Sequence, residues 1–424
     1  MQNKPEKNTQ PLQFLEEKFF QYYQKNIAYI PTPELMERRE FGFILFKEKI
    51  MVRHKGFSSK ESFGRFLISS APSDVYYSSA YYEKPEAQME KKGWLGADLI
   101  FDIDSDHLET PCKSSHEYWI CRTCENTGRG LSPKNCPQCG GINFKQEAWL
   151  CESCLEMAKT ETLKLLDFLT DDLGFSSENL EVCFSGQRGY HVRVGEIKVR
   201  QLDQAARKEI TDYITGTGLI IEQHGLSEVG SGNTREVVGP DLNDKGWNGR
   251  IAKSIYSLIS SSALKQLEEV FGINETLANN LMTNREIILK GWNKNVPWNI
   301  IKGVGFKKWK KIVLHSIKDQ GAIIDTVVTT DMHRLIRLPL TLHGKTGLKA
   351  VDVSVDALER FDPLKDAIAF RNGELKVHIK DANKFRMGEQ EFGPYTQETV
   401  SLPMAAAIYL LCKKVAEPTG LSHQ

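Results

Sequence analysis

The sequence predicts an α+β fold that carries a zinc-binding module and an inserted helical segment. Three observations lead to this prediction. Two β-rich parts of the chain are separated by a long helical stretch, most cysteines cluster in closely spaced pairs, and an apolar strand over Leu99–Asp104 ends in two aspartates.

The composition is that of an ordinary globular protein. At 424 residues, with 40% hydrophobic and 26% charged residues, the chain is long enough for two or three cored units. Lys and Arg number 55, as do Asp and Glu, so any contact with nucleic acid must come from local basic patches. The polar start Met1–Gln10 lacks the apolar core of a signal peptide, and the apolar run Ala405–Cys412 is too short to span a bilayer. We therefore expect an intracellular, cytoplasmic protein with no membrane partner.

The first hundred residues predict a helix, a hairpin and a connection. Apolar residues at helical spacing predict a helix over Leu12–Ile30. Alternating residues over Glu40–Val52 predict a hairpin that turns near Lys47-Glu48-Lys49. Ser69–Glu90, rich in Ser, Pro and Tyr, is expected to be a surface connection into the aspartate-bearing strand.

The remaining chain predicts helices, then strands again. Cys151–Gly174 is expected to be a helix with one apolar stripe that ends at Gly174. Strands over Leu180–Phe184 and Tyr190–Val194 flank a glycine-containing turn, and Leu202–Ser316 is mostly helical. Later segments predict three strands and a closing helix, over Asp325–Thr329, Leu335–Leu342, Ala350–Val355 and Pro403–Val415.

These segments predict a discontinuous main domain. We expect it to comprise residues 1–201 and 317–424, with a zinc-binding module over 112–154 inside it. Residues 202–316 are expected to form a helical insertion subdomain.

The aspartates of the predicted strand suggest a metal site. Residues i and i+2 of a strand share a face, so Asp102 and Asp104 project side by side and repel each other unless a cation lies between them. Mg²⁺ takes such oxygen ligands, and three carboxylates around one or two ions, with Asp325 as the third, are typical of phosphoryl-transfer polymerases. The alternatives are solvated acids at a strand end and, for Asp325, a residue that caps a turn.

Seven of the nine cysteines lie between Cys112 and Cys154, which in an intracellular chain favours zinc over disulfides. Two Cys-x-x-Cys pairs have the spacing of a zinc ribbon: Cys121, Cys124, Cys136 and Cys139. A second set flanks the ribbon and predicts a further site that the ribbon interrupts: Cys112, His116, Cys151 and Cys154. Both sites would be fully ligated by protein and hence structural, although His116 could be a surface histidine instead. Cys183 and Cys412 are expected to be buried and inert.

Two loops offer groups that bind phosphate. In Ser185-Gly186-Gln187-Arg188-Gly189-Tyr190-His191 the glycines permit a tight turn, Arg188 supplies a guanidinium, Ser185 a hydroxyl and His191 another donor. An ordinary glycine-containing hairpin with a surface arginine is the alternative.

The second loop follows the predicted strand at Leu335. It would bring Arg337, His343 and Lys345 near one another, unless Lys345 is a solvated hairpin tip. Gly344-Lys345-Thr346 is not a P-loop, because the upstream glycine is missing and no helix follows.

Taken together, four motifs resemble the small catalytic subunit of archaeal and eukaryotic-type DNA primase, and in particular its archaeal branch. These motifs are Arg39-Glu40-Phe41-Gly42-Phe43, Asp102-Ile103-Asp104, Ser185-Gly186-x-Arg188-Gly189-x-His191 and Asp325 through Gly347. The resemblance covers most of the chain, from about Phe14 to the terminal helix. It implies RRM-like mixed β-sheets flanked by helices. It also implies de novo synthesis of short RNA or DNA primers on single-stranded DNA, within a heterodimer that contains a large primase subunit.

The resemblance also assigns roles to residues. Asp102, Asp104 and Asp325 would hold two catalytic Mg²⁺ or Mn²⁺ ions. The incoming nucleoside triphosphate would be bound by Ser185, Arg188, His191, Arg337, His343 and Lys345, with Glu40 and Arg53 also contacting the nucleotide. Gln187 stands where some relatives have a basic residue. The zinc ribbon looks like an insertion that only some members carry, which leaves the exact ligands of the second zinc site open.

Template contacts and alternative functions stay open. The segment Lys302–Lys311 holds five lysines around Phe306 and Trp309, which suits DNA binding, although a solvated helix face with its aromatics in the core is the favoured interpretation. The helical insertion could instead dock the large subunit.

Alternative functions are a repair or translesion polymerase of the same superfamily and a non-catalytic zinc-ribbon protein that binds nucleic acid.

Overall fold

The computed structural model describes residues 10–47, 50–147, 149–231, 235–301 and 304–419. Its α-helices are α1 Gln10–Asn26, α2 Lys60–Ser70, α3 Lys113–His116, α4 Glu152–Asp167, α5 Gln204–Thr215, α6 Gly246–Ser261, α7 Leu264–Phe271, α8 Glu275–Thr283, α9 Arg285–Lys290, α10 Phe306–Gln320, α11 Thr326–Thr330, α12 Pro363–Asp366 and α13 Met404–Cys412.

The strands are short and spread over the whole chain, which confirms the α+β class. They are β1 Phe41–Ile44, β2 Met51–Lys55, β3 Asp74–Ser78, β4 Ala80–Tyr82, β5 Trp94–Ala97, β6 Leu99–Asp104, β7 Tyr118–Cys121, β8 Thr127–Arg129, β9 Phe144–Glu147, β10 Leu180–Phe184, β11 Gly189–Val194, β12 Ser227–Val229, β13 Glu236–Val238, β14 Leu335–Arg337, β15 Val351–Val353, β16 Glu374–Ala382, β17 Phe385–Met387, β18 Gln390–Phe392, β19 Tyr395–Pro403 and β20 Ala416–Pro418.

The chain divides into two compact units. Unit 1 comprises Met1–Thr162, Ser177–Arg207 and Ile324–Gln424, and unit 2 comprises Leu163–Ser176 and Lys208–Ile323. The last part of α4 thus groups with the helical segment, whereas the predicted boundaries left it in the main domain.

Two four-stranded sheets form the frame of unit 1. Their strand orders are β14-β3-β1-β2 and β15-β10-β11-β6. Every strand pair recorded in these two sheets is antiparallel, so the mixed sheets that the family resemblance implied are corrected to antiparallel ones. Antiparallel sheets tolerate one solvated face, which leaves polar side chains free to line a pocket.

Strand β6 forms because four apolar side chains fill the core around two aspartates. Leu99, Phe101 and Ile103 are fully buried and Ile100 is nearly so, whereas Asp102 and Asp104 are only half-buried. The two aspartates therefore share the more open face of the strand, as the sequence predicted.

The expectation of a surface connection over Ser69–Glu90 is wrong. This segment contains β3, an inner strand of the first sheet, and β4, whose residues are all buried. The tyrosines made this segment look exposed. A tyrosine ring can be fully buried, however, while its hydroxyl keeps a polar partner. Tyr81 is an example, since its ring is buried and its hydroxyl donates to Asp98 Oδ1 at 2.9 Å.

The predicted strand over Asp325–Thr329 is also wrong, because Thr326–Thr330 is the short helix α11. Its β-branched residues favour strands in isolation. The carboxylate of Asp325 overrides that preference by accepting hydrogen bonds from the backbone N–H groups of Val327 and Val328, at 3.0 and 3.4 Å. The turn-capping alternative for Asp325 is therefore what the structure contains.

Other elements match their predictions in part or in full. β1 and β2 form the predicted hairpin, although Glu48 and Lys49 of its turn lie outside the described residues. The helix predicted to end at Gly174 changes from α to π geometry over Phe168–Asp172. The closing helix α13 is buried, as expected. Within the described ranges, no helix is long and apolar enough to cross a membrane.

Unit 2 is mainly helical and has an aromatic core. The rings of Trp298 and Trp309 lie 4.7 Å apart between centroids, and Phe271 packs edge-on against Trp309. Within this unit the short strands β12 and β13 pair in antiparallel fashion.

Candidate active site and zinc sites

The carboxylate side of the candidate site is built by β6 and β11. Their register pairs Asp102 with His191 and Asp104 with Gly189. His191 Nε2 lies 3.2 Å from Asp102 Oδ1, which fixes that carboxylate on the sheet. A glycine beside Asp104 is required, because a Cβ on Gly189 would lie 2.3 Å from the carbonyl oxygen of Ile103.

The pKa values of the two aspartates are shifted in opposite directions. Burial opposes ionisation of Asp102, but the charge and hydrogen bond of His191 outweigh it and hold the pKa of this carboxyl below its usual value. Burial raises the pKa of Asp104, and the positive charge of Arg188 only partly offsets this effect. An added cation would favour the ionised form of both groups.

Asp325 is tied to the same strand. Its backbone N–H donates to the carbonyl oxygen of Asp102 at 2.8 Å, and His107 Nε2 lies 3.7 Å from its Oδ2. Since Oδ1 caps α11, only Oδ2 is left for a further ligand. Among the described residues, the groups of three or more metal-ligating atoms that lie within 4.8 Å of one another are the two cysteine sets, and the three aspartates are not such a group.

The turn between β10 and β11 interlocks with the loop after β14. The Ser185 N–H donates to the carbonyl oxygen of Gly189 at 2.9 Å and closes the turn, and Gly186 has a φ of +85°. A Cβ on Gly186 would lie 2.9 Å from the Cβ of His343. The Thr346 hydroxyl donates to the Gly186 carbonyl oxygen at 2.5 Å. The two donor loops predicted from sequence therefore meet at Gly186, through the Thr346 hydroxyl and the close approach of His343.

Arg337 is held by a residue that the sequence analysis did not select, Asp74, whereas His343 Nδ1 accepts the backbone N–H of Lys345 at 3.1 Å. Arg337 Nη1 lies 2.7 Å from Asp74 Oδ1, and Asp74 also accepts the Gly344 N–H at 3.2 Å. Burial, followed by the neighbouring charge of Arg337, lowers the pKa of His343 well below its usual value, so this imidazole is neutral. Lys345, by contrast, is exposed.

These groups line one open pocket. Of the predicted site residues, six are among its lining residues: Asp102, Asp104, Ser185, His191, Arg337 and His343. Tyr76, Gln187 and Arg334 also line it. The pocket has carboxylates on one side and cationic or neutral donors on the other, which suits a metal-bound polyphosphate.

Arg188 does not line this pocket. Its buried guanidinium contacts the carboxylate of Asp106, two residues beyond Asp104, and lies 3.4 Å from Glu117 Oε1. Glu117 follows His116, so Arg188 connects the segment after β6 to the cysteine-rich module. The phosphate-binding role of Arg188 stays a prediction.

Glu40 and Arg53 lie in a separate buried ion-pair cluster. The carboxylate of Glu40 is fully buried and contacts Arg53 Nε at 3.0 Å and Lys92 Nζ at 2.8 Å. It also accepts the backbone N–H of His54 at 3.0 Å. Neither Glu40 nor Arg53 lines the pocket, and their contact with a nucleotide stays a prediction.

Sequence reasoning overlooked Arg334 and Tyr76 as well as Asp74. Arg334 stands in a quoted motif and helps to lower the pKa of Asp102, after burial and His191 are counted. Its position three residues before Arg337 was an available signal. Tyr76 and Asp74 carried none, because they lie on the segment interpreted as a surface connection.

The inner candidate zinc site comprises Cys112, His116, Cys151 and Cys154. Their ligand atoms all lie within 4.8 Å of one another, with His116 Nε2 3.2 Å from Cys154 Sγ. Hydrogen bonds from Cys154 and His116 lower the pKa of the Cys151 thiol to about 3. The structure thus brings the outlying cysteines and His116 together, as the sequence predicted. Their donor set suits tetrahedral zinc.

The outer candidate zinc site comprises the ribbon thiols of Cys121, Cys124, Cys136 and Cys139, which also lie within 4.8 Å of one another. The three-stranded sheet β8-β7-β9 supports it. Trp119 and Phe144 pack edge-on at 5.3 Å beneath it. Four thiols in this arrangement could hold one metal ion.

Comparisons with known proteins agree with this geometry. The family model described as DNA primase small subunit matches residues 139–356. The chain is 34% identical to the DNA primase small subunit PriS of Methanothrix thermoacetophila, over 95% of this chain and 98% of the relative. It is 31% identical to PriS of Nitrosopumilus maritimus, over 96% and 99%, and 34% identical to PriS of Archaeoglobus fulgidus, over 94% and 96%.

Proposed function

The chain belongs to the family of DNA primase small subunits, and on this premise we propose that it makes primers de novo on single-stranded DNA by two-metal nucleotidyl transfer. Primer synthesis is the general function of the family. One observation carries the mechanistic part: Asp102 and Asp104 line the same open pocket as the donors Arg337 and His343.

The aspartates would hold the divalent ions, Mg²⁺ or Mn²⁺. Asp102 and Asp104 offer hard oxygen ligands on one strand face, and Asp325, whose backbone N–H donates to the Asp102 carbonyl oxygen, offers a third carboxylate. When bound, such ions acidify the attacking 3′-hydroxyl and neutralise charge on the leaving pyrophosphate. His191 orients the Asp102 carboxylate toward this role through its 3.2 Å contact.

The opposite wall would bind the triphosphate. Arg337 and Arg334 carry fixed positive charge, and Ser185 and the neutral His343 add hydrogen-bond donors. Lys345, exposed at the loop tip, would reach the outermost phosphate. Because Asp74 already orients Arg337, little reorganisation accompanies binding.

Zinc is the metal that we assign to both cysteine sites. Each has four protein ligands and no position for substrate, which is typical of structural zinc. We also assign three partners: the large primase subunit, a single-stranded DNA template and nucleoside triphosphates.

The deciding experiment is a gel assay on unprimed single-stranded DNA with labelled nucleoside triphosphates and Mg²⁺ or Mn²⁺, with and without the large subunit. Short products made from scratch are expected, at least when the large subunit is present. Extension of a supplied primer without initiation under both conditions would contradict de novo synthesis and favour a repair polymerase. Metal analysis should find two zinc ions per chain, and clearly fewer would contradict the two-site assignment.

A further inference from the structure

The solvent face of α10 is a stripe of positive charge. Its inner face buries Trp309, Ile312, Val313, Ser316 and Ile317, at helical spacing. The outer face presents Lys307, Lys311, Leu314, His315 and Lys318, all exposed. Because both aromatic residues at the start of the helix point toward protein, with Trp309 fully buried and Phe306 half-buried, base stacking is not the use of this face.

Three lysines on this stripe have no ion pair with a described residue: Lys307, Lys311 and Lys318. Lys310 does have one, with Glu222 at 2.6 Å. The acid nearest along the helix, Asp319, lies only at its end. The chain as a whole carries equal numbers of acidic and basic residues, so this stripe stands out from a neutral background.

The charges of this stripe lower the stability of a solvated helix in three ways. Lys307 and Lys308 lie in the first turn, where cations oppose the helix dipole and where the helix has no acid. Lys307 and Lys311 are like charges at i and i+4. Opposite charges are not interspersed on the exposed face. Departures from local stability that coincide in this way are expected where a surface has a function.

We propose that this face binds the phosphodiester backbone of DNA. It deepens the proposed function, on which it rests, because a template-dependent polymerase must hold its template. Lys307 to Lys318 spans about 16 Å of helix axis, over which one strand of a duplex carries about five phosphates. Lysine ammonium groups contact phosphates as point charges and read no sequence, so the binding is independent of base composition.

The test is a titration of a fluorescent oligothymidylate with the full chain, without nucleotide or divalent metal, at several salt concentrations. The variant combines Lys307→Gln, Lys311→Gln and Lys318→Gln. The matched control removes three exposed lysines from other elements of unit 2, in the combination Lys253→Gln, Lys265→Gln and Lys294→Gln. A parallel titration with a duplex of equal length distinguishes single-stranded from double-stranded DNA.

Loss of three phosphate contacts should reduce the slope of log K against log salt by about 2 for single strands. If the curves meet near 1 M salt, binding at 0.1 M is then about a hundredfold weaker than in the wild type. The control should keep most of the wild-type slope. The thermal midpoint of the triple variant should be equal to or above that of the wild type, because the removed charges oppose the helix.

An unchanged slope and affinity in a folded triple variant would overturn the proposal. So would equal losses in variant and control, which would indicate a diffuse charge effect. Retained DNA binding with loss of association to the large subunit would overturn it too, and would assign the face to that protein. These outcomes are separate from failure of primer synthesis by the wild type, which would instead contradict the proposed function.

Discussion

The two walls of the candidate pocket differ in how their charge is balanced. On the cationic wall, Arg337 is buried against Asp74 at 2.7 Å, so its charge is neutralised within the protein. On the acidic wall, Asp102 lies beside His191, and no lysine or arginine among the described residues is in salt-bridge contact with Asp102 or Asp104. The cationic wall is therefore held together by an ion pair within the protein, whereas the described residues give the two carboxylates of the acidic wall no lysine or arginine partner of this kind.

The largest effect is expected from a change on the acidic wall. Asp102→Asn keeps the size of the side chain but removes a metal ligand, and primer synthesis should fall about a thousandfold or more. The free energy of unfolding should change by no more than about 1 kcal/mol, because no buried cation loses its partner. Incorporation of labelled nucleotide and urea unfolding measure the two effects. Activity within tenfold of wild type would contradict the assignment of Asp102.

The cationic wall should respond in the opposite way. Asp74→Asn leaves the buried guanidinium of Arg337 without its counter-ion, which should cost about 3–5 kcal/mol of unfolding free energy. The control is Asp381→Asn, which removes an exposed pair with Arg129 and should cost about 1 kcal/mol or less. Urea unfolding of both variants compares them, and equal losses would show that burial does not set the difference.

The pH dependence of stability should also separate the walls. The pKa of Asp74 is lowered in the fold because Arg337 outweighs burial, so its stabilisation is complete above about pH 4 and is lost as the pH falls through the folded-state pKa. The pKa of Asp104 is raised by burial, so its contribution declines as the pH rises from about 4 through the folded-state pKa.

Unfolding free energies of wild type, Asp74→Asn and Asp104→Asn from pH 3 to 7, without added Mg²⁺ or Mn²⁺, test these signs. The difference between wild type and Asp74→Asn should increase with pH, and that between wild type and Asp104→Asn should decrease. Two difference curves of the same sign would contradict the contrast between the walls.

The smallest effect is expected from a change at Lys345, on the loop that also carries His343. Lys345 is exposed and has no ion pair with a described residue, so Lys345→Gln should change stability by less than about 0.5 kcal/mol. Loss of one charge-assisted phosphate contact should raise the KM for nucleoside triphosphate about tenfold, with a smaller effect on kcat. Steady-state kinetics at saturating template measure both, and an unchanged KM would remove Lys345 from the site.

Local patterns in the sequence predicted the acidic wall and the zinc sites. Apolar residues around Asp102 and Asp104 specify a strand, and Cys-x-x-Cys spacing specifies a ribbon, with residues close in the chain. The inner zinc site was also predictable, because the ribbon accounts for the gap between His116 and Cys151.

Contacts between distant segments were not predictable in this way. Asp74 and Arg337 lie 263 residues apart, and nothing near Asp74 marks it as the partner of an arginine. The helix over Thr326–Thr330 was missed because residue propensity favours a strand and a single capping carboxylate reverses it. The buried pairing of Glu40 with Lys92 likewise depends on tertiary packing that no spacing rule contains.

The meeting of two turns at Gly186 determines how precisely the pocket holds its donors. Turns usually give their side chains freedom, yet here the Thr346 hydroxyl donates to the Gly186 carbonyl oxygen at 2.5 Å, and even one methyl group on Gly186 would lie only 2.9 Å from the Cβ of His343. Any side chain at Gly186 would therefore push His343 away, so the shape of one turn sets the position of a donor on the other.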